Sequence, residues 1–140
     1  MLRRSPLKRT GFKSKPAEPK ARKPMKKSKP KTLPPDIKAY HARVRAIGCL
    51  ISGSEKPTLH HVHGGSCSSF TKPGMSQRSN HYLVIPLAAK YHCLPGGIDG
   101  GMGVLSWERQ YGRQLDMLLE VERLLGVDVF ALAGIARPAI

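Results

Sequence analysis

The stretch "TLHHVHGGS", Thr58 to Ser66, places His60, His61 and His63 within four positions and follows them with two glycines. Imidazole is the commonest metal-ligating side chain and the natural proton acceptor near neutral pH. Four uses are open to such a stretch: holding a metal, acid–base chemistry, phosphate binding, or packing. On a strand, neighbouring His60 and His61 face opposite ways, so regular geometry does not bring both to one site. At a strand end or a hairpin bend they can converge. His92 lies 31 residues beyond His61, close enough for a strand pair followed by a helix to bring it to them. Phosphodiester hydrolysis uses this kit: a divalent ion to neutralise developing charge and a neutral imidazole to take a proton from water. A carboxamide can orient the base or complete the ion's shell, and Asn80 precedes the second strand-like stretch.

The elements that must carry these residues follow from local pattern. Asp36 precedes "IKAYHARVRAIG", in which Ile37, Tyr40, Val44 and Ile47 recur at helical spacing. A helix over 36–47 is expected, capped by Asp36, stopped by Gly48 and exposing Arg43 and Arg45. "KPTLHHVH" and "HYLVIPL" are the strand-like stretches. "GGSCSSFTKPGMSQRSN" between them is a polar loop, "LAAKYHCL" after Pro86 suits a short helix, and "PGGIDGGMG" is a glycine-rich loop. Val104, Trp107, Tyr111, Leu115, Leu118, Val121 and Leu125 form one apolar stripe, predicting one or two packing helices broken at Gly112 and ended by Gly126. The terminal "VDVFALAGIARPAI" either docks on the body or mediates association.

Charge is distributed very unevenly over the 140 residues. Of the net +15, +12 falls in residues 1–35, which carry thirteen Lys or Arg against the single acid Glu18, together with seven of the twelve prolines. Such a segment buries too little apolar surface to offset the entropy of ordering it, so a disordered basic tail is expected over 1–35 ahead of a domain over 36–140. A lysine-rich arm of this kind points to a polyanion, most often nucleic acid. Arg3, Arg4, Lys8, Arg9, Lys13, Lys26 and Lys27 are the tail candidates for phosphate contact, joined by Lys72 and Arg78 from the polar loop. No stretch has the roughly eighteen continuous apolar residues of a membrane span, and "MLRRSPLKRTGFK" has no secretory apolar run. Three unevenly spaced cysteines make no disulfide framework, so a reducing cytoplasm is expected and no membrane partner.

Taken together, "HHVHGG", "SNHYLVIPLAAKYH" and "GIDGGMGVLSWERQYG" resemble the HNH, or ββα-metal, endonucleases. Within them they resemble the phage recombination-enhancement family of RecA-dependent nucleases and its small phage-encoded relatives. The similarity covers roughly residues 36–126, and the opening "RRSPLKRTGFK" is similar to the basic N-termini of such phage proteins. The resemblance implies an α+β fold with a small ββα-metal (His-Me finger) core and flanking helices. It implies a metal-dependent DNA endonuclease linked to recombination, acting in a bacterial host's cytoplasm. Carried onto this chain, it makes His61 the base that activates water, His60 and His92 metal ligands, and Asn80 the central asparagine supporting base or metal. Mg²⁺ or another divalent cation such as Mn²⁺ is the implied cofactor, DNA the implied partner, and a RecA-type recombinase filament a further one. A non-catalytic DNA-binding recombination accessory on the same scaffold is the alternative.

The chain departs from that pattern in a consistent way. Ser52 stands where the family places its second knuckle cysteine, Ala88 where it has the cysteine of "PLC", and Tyr91 where it has the first histidine of a pair. Cys49 is left alone, and one ligand cannot hold a structural zinc, so none is expected and Cys49, Ala88 and Tyr91 should pack instead. His63 has no counterpart in the pattern and reads as a bystander, and His81 reads as exposed. Asp99 stands open between a third ligand and a turn former.

Overall fold

A computed structural model of the chain describes residues 11, 24, 27–72 and 78–140. The backbone divides into two units, Met1–Lys31 and Thr32–Ile140. In the first, the described residues carry no regular secondary structure and are exposed. The tail candidates Arg3, Arg4, Lys8, Arg9, Lys13 and Lys26 lie outside the described residues, as does most of the segment expected to be disordered; Lys27 is described and exposed.

The second unit mixes helices with a small antiparallel sheet, an α+β arrangement. Its helices are α1 (Pro35–Ile47), α2 (Ala89–His92), α3 (Val104–Tyr111), α4 (Gln114–Leu125) and α5 (Val129–Ala133). Strands β1 (Thr58–His61) and β2 (Val84–Leu87) pair with Thr58 opposite Leu87 and His61 opposite Val84. None of the described helices is long and apolar enough to cross a membrane.

The periodicities behind these elements explain most of their bounds. α1 buries Tyr40, His41 and Val44 and ends at Gly48, whose φ of 86° suits glycine. Its start differs from expectation: the helix begins at Pro35, and Asp36 sits inside the first turn rather than capping it. Proline at the first helical position gives up an N–H that has no helical partner there, and the Asp36 carboxylate instead accepts from the Tyr82 hydroxyl at 2.9 Å. Gly112 separates α3 from α4, and Gly126 closes α4 in the left-handed region. β2 is buried at all four positions because α1 and α4 pack on it, so its side chains face protein on both sides.

Trp107 anchors α3 in the core, with its indole N–H donating to the Tyr91 carbonyl at 2.9 Å. Cys49 is buried, and Tyr91 packs edge-on against Tyr111. The three cysteines are free thiols, and burial drives the Cys67 thiol up to about 12. The C-terminal segment docks on its own domain. Asp128 caps α5 by accepting from Phe130 N and Ala131 N, Phe130 is buried, and Arg137 pairs with Glu122 at 2.6 Å.

Candidate metal centre and cleft

The two faces of β1 each carry a group of histidines. On one side, His60 is fully buried, with His63 and His92 ring centroids 5.2 and 5.0 Å away. On the other, His61 stands beside His81 and His41, at centroid distances of 5.3 and 6.2 Å. The opposed directions expected of strand neighbours therefore hold.

The first group closes on Asp99. Its Oδ2 lies 3.2 Å from His60 Nδ1 and 3.0 Å from His92 Nε2, and its Oδ1 lies 3.0 Å from His63 Nε2. The glycine-rich loop delivers it there. Gly100 packs so tightly on the Leu94 carbonyl that any side chain would collide, so only glycine lets the loop fold back over α2. Asp99 is thus placed with three histidines, two of them on the same carboxylate oxygen, rather than left in a free turn. Burial raises its pKa, but the nitrogens of His60, His63 and His92, wherever they carry a proton toward it, outweigh this and hold it well below the usual carboxylate range. His63, expected as a bystander, bonds the second carboxylate oxygen, and that bond raises the His63 pKa.

The outer hydrogen bonds fix which nitrogens face Asp99. Gln114 donates through Nε2 to His63 O at 2.9 Å and accepts His63 N–H through Oε1 at 3.1 Å, which sets its amide orientation. The same Oε1 lies 3.0 Å from His60 Nε2 and must accept from it. Neutral His60 therefore turns the lone pair of Nδ1 toward Asp99. Thr58 Oγ1 donates to the Leu87 carbonyl at 2.9 Å and so accepts from His92 Nδ1 at 2.7 Å. Neutral His92 likewise turns the lone pair of Nε2 toward the same oxygen. Two imidazole lone pairs and a carboxylate oxygen facing one another repel unless a cation or added protons lie between them.

The residues fit a metal. The three donors lie within 4.8 Å of one another and can hold one ion. Their 3.0 and 3.2 Å separations match the roughly 3 Å edge between neighbouring ligands bound at about 2.1 Å. Second-sphere partners such as Gln114 and Thr58 are what hold ligating histidines in one tautomer.

Gln114 is itself held by Glu108, which accepts from Gln114 N at 3.0 Å and from the Ser66 hydroxyl at 2.6 Å. Gly65 makes room for this network: a Cβ there would lie 2.5 Å from the Glu108 carboxylate, and its φ is 48°. Replacing Gln114 with leucine should cost about 2–4 kcal/mol in urea unfolding, because it strands His60 Nε2–H and both backbone groups of His63. A loss under about 1 kcal/mol would show that the amide does not hold this corner.

A cleft of about 410 Å³ opens beside the cluster, lined by His61, His63, His92, Asp99, Arg78 and Ser79. The cleft thus brings His61 and His92 together, while the fully buried His60 does not line it and meets it only through Asp99. Burial, then the neighbouring His81, Arg78, His41 and His60, push the His61 pKa down to about 4, so its ring is neutral at physiological pH. Ser79 Oγ is buried without a hydrogen-bond partner among the described residues. Lys72 is exposed on the loop.

Asn80 is not brought to the cleft. Its amide donates to the Ala133 carbonyl at 3.0 Å and its Oδ1 accepts Tyr82 N–H at 3.0 Å, so it clamps the turn into β2. A direct contact to base or metal is thereby replaced by a role in shaping the loop. His81, expected to be exposed, is half-buried, with Nδ1 3.2 Å from His61 Nε2.

The chain as a class is a small α+β protein with a histidine–aspartate cleft. No family model matches it, and no curated protein or solved structure matches it significantly.

Proposed function

We propose that the chain is a divalent-cation-dependent endonuclease that hydrolyses DNA phosphodiester bonds, with β1, β2 and α2 forming a ββα-metal unit. The observation that carries this reading is the pair of fixed tautomers, which aim lone pairs of His60 and His92 at Asp99 in the wall of a cleft that also holds His61. A divalent ion held by His60, His92 and Asp99 would supply charge neutralisation at the scissile phosphate and stabilise the leaving oxygen. His61 is the base, kept neutral by burial and by the cationic side of the cleft, so its ring can take a proton from water. Arg78 at the cleft and Lys72 on the loop bind phosphate oxygens, and the unpartnered Ser79 hydroxyl is available to donate to one. Of the two expected ions, Mn²⁺ suits this donor set better than Mg²⁺, because two of the three donors are imidazole nitrogens and Mg²⁺ favours oxygen.

The deciding experiment is nicking of supercoiled plasmid by the wild type and by His61→Ala with added Mg²⁺ or Mn²⁺. DNA binding without cleavage in any divalent ion would leave a non-catalytic DNA-binding accessory as the better reading.

The basic segment supplies affinity that does not depend on sequence. A chain lacking residues 1–31 should keep the melting temperature of the full chain but bind DNA more weakly. The slope of log K against log salt should flatten by about 0.9 for every phosphate that the segment neutralises in the full chain. Filter binding across 50–200 mM salt reads this directly, and an unchanged slope would remove the segment from the DNA-binding surface.

A further inference from the structure

Resting on the hydrolase reading above, we propose that His81 is a positioning residue for His61: its Nδ1 accepts from His61 Nε2–H, leaving His61 Nδ1 as the basic atom that faces the cleft. The two nitrogens are 3.2 Å apart, and His61 Nδ1 makes no hydrogen bond among the described residues although the ring lines the cleft. A base needs a third group to fix its tautomer and aim. A neutral imidazole can serve here when its Nδ1 carries the lone pair, since that nitrogen can then only accept.

The backbone around His81 is built to hold such a partner still. His41 Nε2 donates to the His81 carbonyl at 2.7 Å, and the Tyr40 hydroxyl donates to the Tyr82 carbonyl at 3.0 Å. Asn80 ties the same turn to Ala133, and the Tyr82 hydroxyl ties it to Asp36. Hydrogen bonds from α1 and from the C-terminal segment thus converge on three residues of a loop, a region that is ordinarily among the most mobile of a fold. The side chain this clamp delivers to His61 is His81. His41 stands edge-on to His61 but serves the arrangement through the His81 carbonyl, on which its Nε2–H is spent.

The test uses full-length protein labelled with ¹⁵N and long-range ¹H–¹⁵N correlation of the His61 ring. The wild type should show His61 as the Nε2–H tautomer, and His81→Ala should release it to a mixture. In plasmid cleavage, His81→Ala should lower kcat about ten- to a hundredfold with KM and divalent-ion affinity unchanged. His81→Asn should recover most of that loss, because its amide oxygen reaches the place of Nδ1, whereas His81→Gln, which reaches the place of Nε2, should not. A wild-type His61 found as the Nδ1–H tautomer overturns the proposal, as does His81→Ala leaving tautomer and kcat unaltered. If the wild type cleaves no DNA the hydrolase reading fails, and the tautomer measurement still decides the pairing. Should His81→Ala not fold, the Asn and Gln variants carry the comparison.

Discussion

His61→Ala is expected to lower metal-dependent plasmid cleavage by about 10²- to 10⁴-fold, the usual contribution of a positioned general base. The variant should bind DNA and divalent ions as the wild type does, because His61 is not among the three residues whose donor atoms converge. Its pH behaviour distinguishes base catalysis from a mere loss of packing. With its pKa lowered to about 4, the free ring is neutral above that value and protonated below it. The acidic limb of kcat/KM, which reports the free enzyme, should therefore fall near pH 4 and vanish in the residual activity of His61→Ala. A bound phosphate beside the ring favours the imidazolium, so the limb of kcat should lie at higher pH than that of kcat/KM. Residual cleavage within a fewfold of the wild type would end the assignment of His61 as base.

The sequence exposes local structure far better than it exposes the partners of the site. Ile37, Tyr40, Val44 and Ile47 announce α1, and glycines at 48, 112 and 126 end helices where a positive φ is required. Those signals are short-range, and so is the alternation that sends His60 and His61 to opposite faces of β1. What pattern alone does not show is the outer shell. Gln114 looks like an ordinary residue opening α4, yet its amide reaches back over some fifty positions to His60 and His63. Only folding reveals the coincidence. Thr58 is similar: β-propensity accounts for its place in β1, while its hydroxyl also sets the His92 tautomer. Asn80 is a case of the same kind, since its hydrogen bonds to Ala133 and Tyr82 are not foreshadowed by its place before the second strand-like stretch. The burial of Cys49 and the packing of Tyr91 on Tyr111 are likewise not legible, because both depend on segments distant in the sequence.

Asp99→Ala is expected to remove divalent-ion binding almost entirely, and thermal melting with added Mn²⁺ is the measurement that shows it. An ion that binds only the folded chain stabilises it by about 2.7 kcal/mol at a hundred times its Kd, which for a domain of this size raises the melting temperature by roughly 10–20 °C. The wild type should show that rise and Asp99→Ala should not. The reason is electrostatic as much as geometric. Asp99 supplies the one carboxylate in the cluster, and without it two neutral imidazoles remain, one of them at the foot of a cleft that Arg78 already makes cationic. Asp99→Asn separates charge from shape. It keeps an oxygen near the position of Oδ2 but gives up the charge, so a partial rise at high Mn²⁺ would apportion the two contributions. Asp99→Ala also gives up the carboxylate oxygen that His63 Nε2 bonds. The variant should therefore melt below the wild type in chelator as well, and only the difference between chelator and Mn²⁺ reports the ion. A wild type whose melting is indifferent to Mg²⁺ and Mn²⁺ would make the cluster a proton-sharing histidine–aspartate network, and the hydrolase reading would fall with it. An Asp99→Ala that keeps the full rise would move the ion elsewhere on the chain.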